Sequence, residues 1–281
     1  MKIIERAADV KAEIKKLKKE GKTVGMVPTM GFLHDGHMSL VKRSVADNDI
    51  TVVSIFVNPT QFGPNEDLEA YPRDFDSDRR MVEEAGADII FYPSPAEMYP
   101  EGFCTSVRLK GITSVLCGLS RPVHFEGVAT VVTKLFNIAI PDRAYFGSKD
   151  YQQLQVIKRM VKDMNMDVEV IGMPIIREGD GLAMSSRNVY LKPEERESAL
   201  SLSKSFSLVE KLIGEGERDA KLIRFKVIDF ISSHHGTAVD YVELVHPEML
   251  NSLDRISGDF VVALAVKVGR ARLIDNKYFK I

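Results

Sequence analysis

The sequence predicts an α/β protein in two parts, a doubly wound parallel sheet followed by a smaller C-terminal α+β domain. Three observations support this prediction. Apolar runs rich in β-branched residues alternate with helical patterns through the first part of the chain. The alternation stops near residue 178, where two long helical patterns lead into alternating strands. A chain of 281 residues also suits two domains of ordinary size, which we expect at 1–177 and 178–281.

The first elements follow from hydrophobic periodicity and turn residues. Val10, Ile14 and Leu17 recur at helical spacing and Gly21 supplies a stop, so a helix is predicted over 7–20. Continuous apolar runs predict strands that are buried on both faces of a parallel sheet. These strands lie at 23–27, 50–56 and 87–93, with helices at 37–47 and 74–85 between them.

The alternation continues through the middle of the chain and then changes. It predicts helices at 125–139 and 150–165, each followed by a strand, at 143–147 and 167–173. The second part is predicted to contain two helices and then two strands, at 193–214, 217–234, 238–245 and 260–268.

Composition narrows the range of functions. The chain is 44% hydrophobic and 28% charged with a net charge of −2, and it lacks the basic stripe of a nucleic-acid-binding protein. A small-molecule partner is favoured. The first 22 residues do not resemble a signal peptide, and no segment approaches the roughly 20 apolar residues that span a bilayer, so we expect a cytoplasmic protein without a membrane partner. Cys104 and Cys117 lack a metal-binding spacing, and we interpret both as reduced thiols.

Ligands of open α/β sheets bind beyond the carboxyl ends of the strands, where four loops carry unusual residues. In the first loop, PTMGFLHDGH (28–37), glycines allow close backbone approach, and His34 and His37 would face one anion site at the start of a helix. Two alternatives stay open. One histidine could cap the helix while the other packs in the loop. Zinc binding has less support because its usual helical pair is spaced i, i+4 and no third ligand is evident.

The second loop, 58–78, follows the strand at 50–56. Gln61 offers a neutral amide for a carboxylate or a hydroxyl, or it simply closes the loop with a hydrogen bond. Asp76 and Asp78 could help to hold hydrated Mg²⁺ together with substrate phosphates. The alternative is that both acids stabilise the first turn of a helix through its dipole.

The third loop, FGSKDYQQ (146–153), places Lys149 near a helix N-terminus, where a cation is unfavourable unless an anion offsets it. A triphosphate is the obvious candidate. One of the next two glutamines should face the cleft, and we expect Gln153 rather than Gln152 to do so. The fourth loop, DGLAMSSRN (180–188), combines two serines with Arg187, donors that match phosphate oxygens. Its alternative role is a capped turn between the domains.

These motifs carry a family resemblance. HDGH and the distant MSSRN resemble the paired signatures of the nucleotidyltransferase superfamily that includes class I aminoacyl-tRNA synthetases. The second signature lacks the lysines of the synthetase form, which argues against a tRNA-charging enzyme. PTMGFLHDGH, VNPTQF, YPRDFDSD, HFEGVATVV, FGSKDYQQL and DGLAMSSRNVYL follow the order and spacing of the pantothenate synthetase family, the pantoate–β-alanine ligases.

The resemblance implies a Rossmann-like domain with a smaller C-terminal domain over the site. It implies a cytoplasmic homodimer that condenses pantoate with β-alanine and converts ATP to AMP and pyrophosphate through a pantoyl-adenylate. The nearest alternative to this function is another adenylyl- or cytidylyltransferase of the same superfamily. An alternative of a different class is a noncatalytic module that only binds nucleotide.

Site residues follow from the resemblance position by position. His37 is the implied catalytic histidine, with His34 and Lys149 beside it at the phosphates. Gln61 and Gln153 would bind pantoate, and Gln61 would also contact β-alanine. Asp78 is the implied neighbour of Mg²⁺, although the adjacent position, which is also acidic in some members of the family, is Ser77 here. The implied ATP-binding residues are Met30, Gly31, Phe32, Leu33, His34, Asp35, Gly36, His37, Gly147, Ser148, Lys149, Asp150, Ile176, Met184, Ser185, Ser186 and Arg187.

Overall fold

The larger of two sheets consists of six parallel strands. A computed structural model describes residues 1–64 and 66–281 of the chain. The strands of this sheet are β1 (Lys2–Ile4), β2 (Val24–Thr29), β3 (Ile50–Ile55), β4 (Ile89–Phe91), β5 (Arg143–Gly147) and β6 (Glu169–Met173). They occur in the order β1-β4-β3-β2-β5-β6 across the sheet.

Helices cover both faces of this sheet, as the doubly wound prediction requires. They are α1 (Ala7–Lys19), α2 (Asp35–Asp47), α3 (Phe75–Glu84), α4 (Pro95–Met98), α5 (Cys117–Ser120), α6 (His124–Ala139) and α7 (Tyr151–Asp163). One core cluster joins α1, α6 and α7 to the sheet, and another joins α2 and α3 to the opposite face.

Neighbouring strand residues belong to different cores. Met26 packs in the cluster of α1, α6 and α7, whereas Val27 packs in the cluster of α2 and α3. Val52 and Val53 divide in the same way. Side chains alternate across a strand, so a strand with helices on both faces must be apolar at every position.

The strand order reverses beside β2. From β2 the chain proceeds outward through β3 and β4, then returns through α6 to form β5 on the other side of β2. The loops that leave β2 and β5 therefore diverge at one point on the carboxyl edge of the sheet. Such a switch point is where doubly wound sheets form their ligand-binding crevice.

The smaller sheet is antiparallel, and its strands are β7 (Thr237–Val245), β8 (Phe260–Val268) and β9 (Ala271–Phe279), in that order across the sheet. Two helices, α8 (Arg196–Gly214) and α9 (Ala220–Ser232), share its core. A separate apolar cluster joins this sheet to the first part of the chain, where Cys117, Phe125 and Val156 pack with Val245 and Val261.

The predicted fold class is confirmed. Two strands of the structure, β1 and β9, were not among the predicted strands. The three residues of β1 lie at the sheet edge with largely exposed side chains, so they carry little apolar signal. In β9, buried Asp275 and Asn276 interrupt the apolar pattern. The division at 1–177 and 178–281 stays a prediction. Within residues 1–64 and 66–281, no helix has both the length and the apolar character needed to cross a membrane.

Candidate active site

A cleft of about 230 Å³ opens at the switch point between β2 and β5. All four loops that the sequence singled out contribute to its walls. The predicted residues that line it are Met30, His34, Gly36, His37, Gln61, Gly147, Lys149, Asp150, Gln153, Ile176, Met184, Ser185, Ser186 and Arg187.

Two histidines form a reciprocal cap at the start of α2. The Nδ1 atom of His34, the N-cap residue, accepts a hydrogen bond from Gly36 N at 3.1 Å. In return, Nδ1 of His37 accepts one from His34 N at 3.3 Å. A ring nitrogen that accepts carries no proton, so in each neutral ring the proton is on Nε2. Capping and ligand binding, weighed as alternatives above, are therefore compatible, because each ring keeps one N–H donor for the cleft.

Both rings are neutral near pH 7. Burial lowers the pKa of His34 to about 4, with a further contribution from the charge of Lys149. Burial lowers the pKa of His37 to about 3, and His34 and Lys149 add to the effect. These imidazoles can donate hydrogen bonds at neutral pH but carry no charge of their own.

Asp78 holds the backbone of the first loop. One of its carboxylate oxygens accepts from Phe32 N at 2.8 Å and the other from Leu33 N at 2.7 Å. Gly31 and Phe32 have φ angles of +82° and +51°, a left-handed conformation that costs energy for phenylalanine. The two hydrogen bonds support this strained turn, which leads directly into the histidine cap.

The residues around Asp78 do not fit a protein-held metal ion. Both of its oxygens are engaged by backbone N–H groups, its side chain is buried, and it lies outside the cleft lining. Burial raises the pKa of Asp78. In the part of the chain that the structure describes, no group of three or more His, Cys, Asp or Glu side chains could hold a metal. Asp76, the other candidate, is exposed in the first turn of α3.

Gln61 is fixed by its own turn and by close helix packing. It ends a 3₁₀ turn, Pro59–Gln61, and its Oε1 accepts from Asn58 Nδ2 at 3.1 Å. A Cβ at Gly127 of α6 would lie 2.4 Å from Thr60 O, so only glycine allows the helix to approach this turn. The Nε2 atom of Gln61 contacts Met30 Sδ at 3.1 Å, a weak acceptor that a substrate oxygen could replace.

The two glutamines at the start of α7 have different environments. Gln152 is buried, and its amide is engaged by Ile112 O, Val115 O and Cys117 N at 2.7 to 3.0 Å. Gln153 is half-buried and lines the cleft. Gln152 therefore secures the 112–117 segment, and Gln153 is the glutamine that faces the cleft.

The C-terminal sheet supports the Lys149 turn. Asn276 of β9 donates from Nδ2 to Ser148 O at 2.9 Å and to Lys149 O at 2.8 Å. Lys149 Nζ lies 3.8 Å from Asp150 Oδ2, and both side chains line the cleft. The second part of the chain thus positions a cation of the first.

Two arginines of the cleft are paired with neighbouring acids of the 58–78 loop. The guanidinium of Arg187 donates to both oxygens of Asp67 at 2.8 and 2.9 Å. Arg121 pairs in the same manner with Glu66. The structure therefore brings Arg187 to the cleft as predicted, but with a carboxylate already bound to its donors.

Arg121 and His124 are site residues that the sequence reasoning missed. His124 is buried, and its Nδ1 donates to Gln61 O at 3.0 Å because a carbonyl can only accept. Burial lowers its pKa to about 4, helped by the charge of Arg121. The basic residues of RPVH at the start of α6 were an available signal. An apolar wall was also missed, formed by Phe56, Phe62, Val128, Val131, Val132, Leu135 and Phe146.

Six predicted site residues do not line the cleft. The backbone of Phe32 and Leu33 turns toward Asp78, Gly31 lies in the same turn, and Ser148 offers its carbonyl to Asn276. Asp35 is exposed at the start of α2. The set outside the lining is Gly31, Phe32, Leu33, Asp35, Asp78 and Ser148.

Hydrogen-bond donors that match phosphate oxygens, placed at the switch point of a doubly wound sheet, are typical of nucleotide-dependent α/β enzymes, and this chain is an enzyme of that class. The family model described as pantoate-beta-alanine ligase matches residues 2–278. The chain belongs to that family.

Individual relatives agree with this assignment. The chain is 59% identical over 276 residues to pantothenate synthetase of Acetivibrio thermocellus, covering 98% of each sequence. The crystal structure of pantothenate synthetase from Thermus thermophilus is similar with a TM-score of 0.93 and 45% identity, over 99% of each chain. The crystal structure of a pantoate-beta-alanine ligase from Francisella tularensis, complexed with beta-gamma ATP and beta-alanine, is similar with a TM-score of 0.79 and 34% sequence identity. The match covers 99% of this chain and 97% of that one.

Proposed function

We propose that the cleft joins pantoate to β-alanine in two half-reactions that consume ATP. Membership of the ligase family supports the overall reaction. The observation that carries the residue roles is the convergence of His34, His37 and Lys149 with two glutamines at one switch point.

In the first half-reaction, a carboxylate oxygen of pantoate attacks the α-phosphorus of ATP as the bond to pyrophosphate breaks. Negative charge grows on the phosphate oxygens during this step. His34 and His37 donate from Nε2, and Lys149 contributes a positive charge, so the developing charge meets donors that are already oriented. Neutral imidazoles suit this role because they stabilise an oxyanion without having to lose a proton.

Pantoate carries a carboxylate, two hydroxyls and a geminal dimethyl group. Gln61 and Gln153 offer neutral amides to its polar atoms, and the wall that contains Phe56, Val131 and Leu135 offers an apolar surface to its methyl groups. Neutral partners leave the attacking carboxylate oxygen nucleophilic, whereas a bound guanidinium would withdraw charge from it.

In the second half-reaction, the neutral amine of β-alanine attacks the acyl carbon of pantoyl-adenylate. The carbon–nitrogen bond forms, the bond from the acyl carbon to the AMP oxygen breaks, and the nitrogen releases a proton to water. AMP leaves with the electron pair. No protein nucleophile is needed, so positioning supplies most of this step.

Mg²⁺ belongs to this proposal only as part of the nucleotide substrate, because the described residues do not form a metal site of their own at Asp78. The homodimer and the cytoplasmic location are likewise proposed from the family resemblance.

One assay tests the function. Purified protein is incubated with ATP, Mg²⁺, pantoate and β-alanine, and AMP, pyrophosphate and the amide product are followed together. We expect AMP and amide in equal amounts only when all substrates are present, with pantoate alone supporting exchange of pyrophosphate into ATP. A nucleotide that stays attached to its acceptor would indicate an adenylyltransferase, and binding without turnover would indicate a noncatalytic module.

A further inference from the structure

Strand β9 contains two consecutive polar residues, Asp275 and Asn276, and both are buried. Each of them bonds a different loop of the cleft. Successive side chains of a strand point to opposite faces. Leu273 and Phe279, on the face of Asp275, pack in the core with α8 and α9, whereas Ile274, on the face of Asn276, packs where the two parts of the chain meet. Strand β9 therefore holds one loop on each of its faces.

We propose that Asp275 and Asn276 are positioning residues for the first half-reaction, which fix the Lys149 turn and the hairpin at 176–184 relative to each other. The proposal rests on the function proposed above, since it takes Lys149 to act at the phosphates of ATP. It goes beyond that function because it assigns two residues of the C-terminal sheet to the chemistry at the phosphates. Both residues act through other groups.

Asn276 fixes the direction in which the side chain of Lys149 leaves the backbone. Its Nδ2 atom donates to the carbonyl oxygens of Ser148 and Lys149 at 2.9 and 2.8 Å. These carbonyls belong to the two peptide units on either side of the Lys149 α carbon. Because each peptide unit is planar, holding both units sets the orientation of the Cα–Cβ bond between them. The two hydrogen bonds therefore direct the lysine toward the cleft, which it lines.

Asp275 anchors the hairpin on the other face of β9. Its two carboxylate oxygens accept from Nη1 and Nη2 of Arg177 at 2.7 and 2.9 Å, a bidentate ion pair. Arg177 Nη1 also donates to Gly181 O at 3.1 Å, across the turn of the hairpin. At the open end of the hairpin, Met184 N donates to Ile176 O at 3.0 Å, and both of these residues line the cleft. The ion pair therefore fixes a segment that forms part of the cleft wall.

Adhesion between the two parts of the chain does not require these polar contacts. An apolar cluster that includes Phe125, Val156 and Val261 already joins the C-terminal sheet to the first part. Apolar packing is non-directional, whereas hydrogen bonds specify both distance and angle. Burial of polar groups also costs free energy unless they are paired. Positioning of the two loops therefore explains why β9 is polar at Asp275 and Asn276.

A double-mutant cycle with Lys149 tests the role of Asn276. Leucine resembles asparagine in shape but has no donor. At saturating substrates we expect Asn276→Leu to lower pantoate-dependent exchange of pyrophosphate into ATP about 10- to 100-fold, the cost of misplacing a catalytic group by about 1 Å. In a Lys149→Ala background the same substitution should cost less than about two-fold, because the group that it misplaces is gone. Asn251→Leu, at an exposed position, is the matched control and should stay within about two-fold of the parent.

The cycle separates positioning from a general effect on the fold. Equal losses in the two backgrounds, or normal exchange in Asn276→Leu, would overturn the role of Asn276. If Asn276→Leu does not fold, Asn276→Ala decides by the same comparison. A parent protein without exchange would refute the proposed function, whereas a parent with exchange and equal losses refutes only the inference drawn here.

The ion pair is tested by removal of one partner or of both. Arg177→Met leaves the carboxylate of Asp275 buried without its cation, so we expect a lower urea midpoint and a raised KM for ATP in the exchange reaction. Arg177→Met combined with Asp275→Leu removes both charges and should recover most of the midpoint. Its KM for ATP should stay raised about 10-fold, the effect of one hydrogen-bonded contact, because the hairpin is still untethered. A normal KM for ATP in the double variant would show that the pair supports only the fold, and would overturn the role of Asp275.

Discussion

The imidazole rings of His34 and His37 lie 4.1 Å apart between their centroids, and each ring uses Nδ1 to accept a backbone N–H at the start of α2. Because both Nδ1 atoms are engaged, the tautomer of both rings is fixed by the fold. The pair therefore presents two Nε2–H donors to the cleft, and this relationship underlies the first prediction.

The exchange activity of a His37 variant should depend on which ring nitrogen the new side chain imitates. We expect His37→Ala to lower the rate of pyrophosphate exchange by about 10² to 10³, the effect of removing one transition-state donor. Glutamine places its amide near the position of Nε2, whereas asparagine places it near Nδ1. His37→Gln should therefore retain more exchange activity than His37→Asn. Equal activity in the two variants would contradict the donor role of Nε2.

Asp78→Asn should damage the first loop without altering the metal requirement. An asparagine side chain has one acceptor oxygen and would turn its NH₂ group toward one of the two backbone N–H groups. We expect a loss of about 1–3 kcal/mol in the free energy of unfolding, together with slower exchange. Asp76→Asn, at an exposed neighbouring acid, is the control. A selective rise in the Mg²⁺ concentration needed for half-maximal activity would instead favour the original metal assignment.

Substitutions of the two neighbouring glutamines of α7 should have different effects, one on pantoate binding and the other on the stability of the fold. Gln153→Ala and Gln61→Ala should raise the KM for pantoate, with unfolding of Gln153→Ala close to that of the parent. Gln152→Ala should instead lower the free energy of unfolding, because it leaves Cys117 N and two carbonyls without their partner. Pantoate kinetics and denaturant unfolding of all three variants test this. Normal pantoate kinetics in both Gln61→Ala and Gln153→Ala would remove them from the site.

Asp67 should compete with the nucleotide for Arg187. A triphosphate that binds Nε or Nη2 of this guanidinium must replace or share the two hydrogen bonds that these atoms donate to Asp67. Asp67→Asn removes the competing charge, so we expect ATP to bind up to about five-fold more tightly, within the range of a partly exposed ion pair. Titration of ATP at several salt concentrations provides the measurement. Weaker binding would mean that Asp67 orients Arg187 rather than competing for it.

Acid should destabilise the fold because it holds three histidines, one buried and two half-buried, in the neutral form. The pKa values of His34, His37 and His124 are lowered from 6.5 to about 4, 3 and 4. Below pH 6.5 the unfolded chain binds protons that the folded chain does not, so the free energy of unfolding falls as the pH decreases toward 4. Above pH 7 these histidines are neutral in both states, so they cause no loss of unfolding free energy there.

His124→Asn isolates one of these titrations. Asparagine can retain the hydrogen bond to Gln61 O but binds no proton, so the slope of unfolding free energy against pH should flatten by up to about 1.4 kcal/mol per pH unit. His235→Asn, at an exposed position, is the matched control for the substitution. A slope in His124→Asn equal to that of the parent would show that His124 is already charged in the folded protein.

The sequence predicted most of the larger sheet and its ligand loops because those features are encoded locally. A parallel strand covered on both faces must be apolar throughout, so the run at 50–56 indicated its environment without knowledge of its neighbours. The sequence likewise predicted that the motifs HDGH and GSKD contribute to one site, since loops at the carboxyl ends of parallel strands meet at one edge of the sheet. Strand β9 escaped prediction because Asp275, buried and paired with Arg177 at 2.7 and 2.9 Å, breaks its alternation.

The sequence by itself determined the doubly wound class, the four loops and the residue types whose donors match phosphate oxygens. Only the tertiary structure decided that Asp78 supports a strained turn, that Arg187 is bound by Asp67, and that Asn276 of the last strand holds the Lys149 turn. The physical reason is that an ionic or hydrogen-bonding role depends on the partner within about 3 Å. Partners such as Arg187 and Asp67 are 120 residues apart, a separation that no local pattern records.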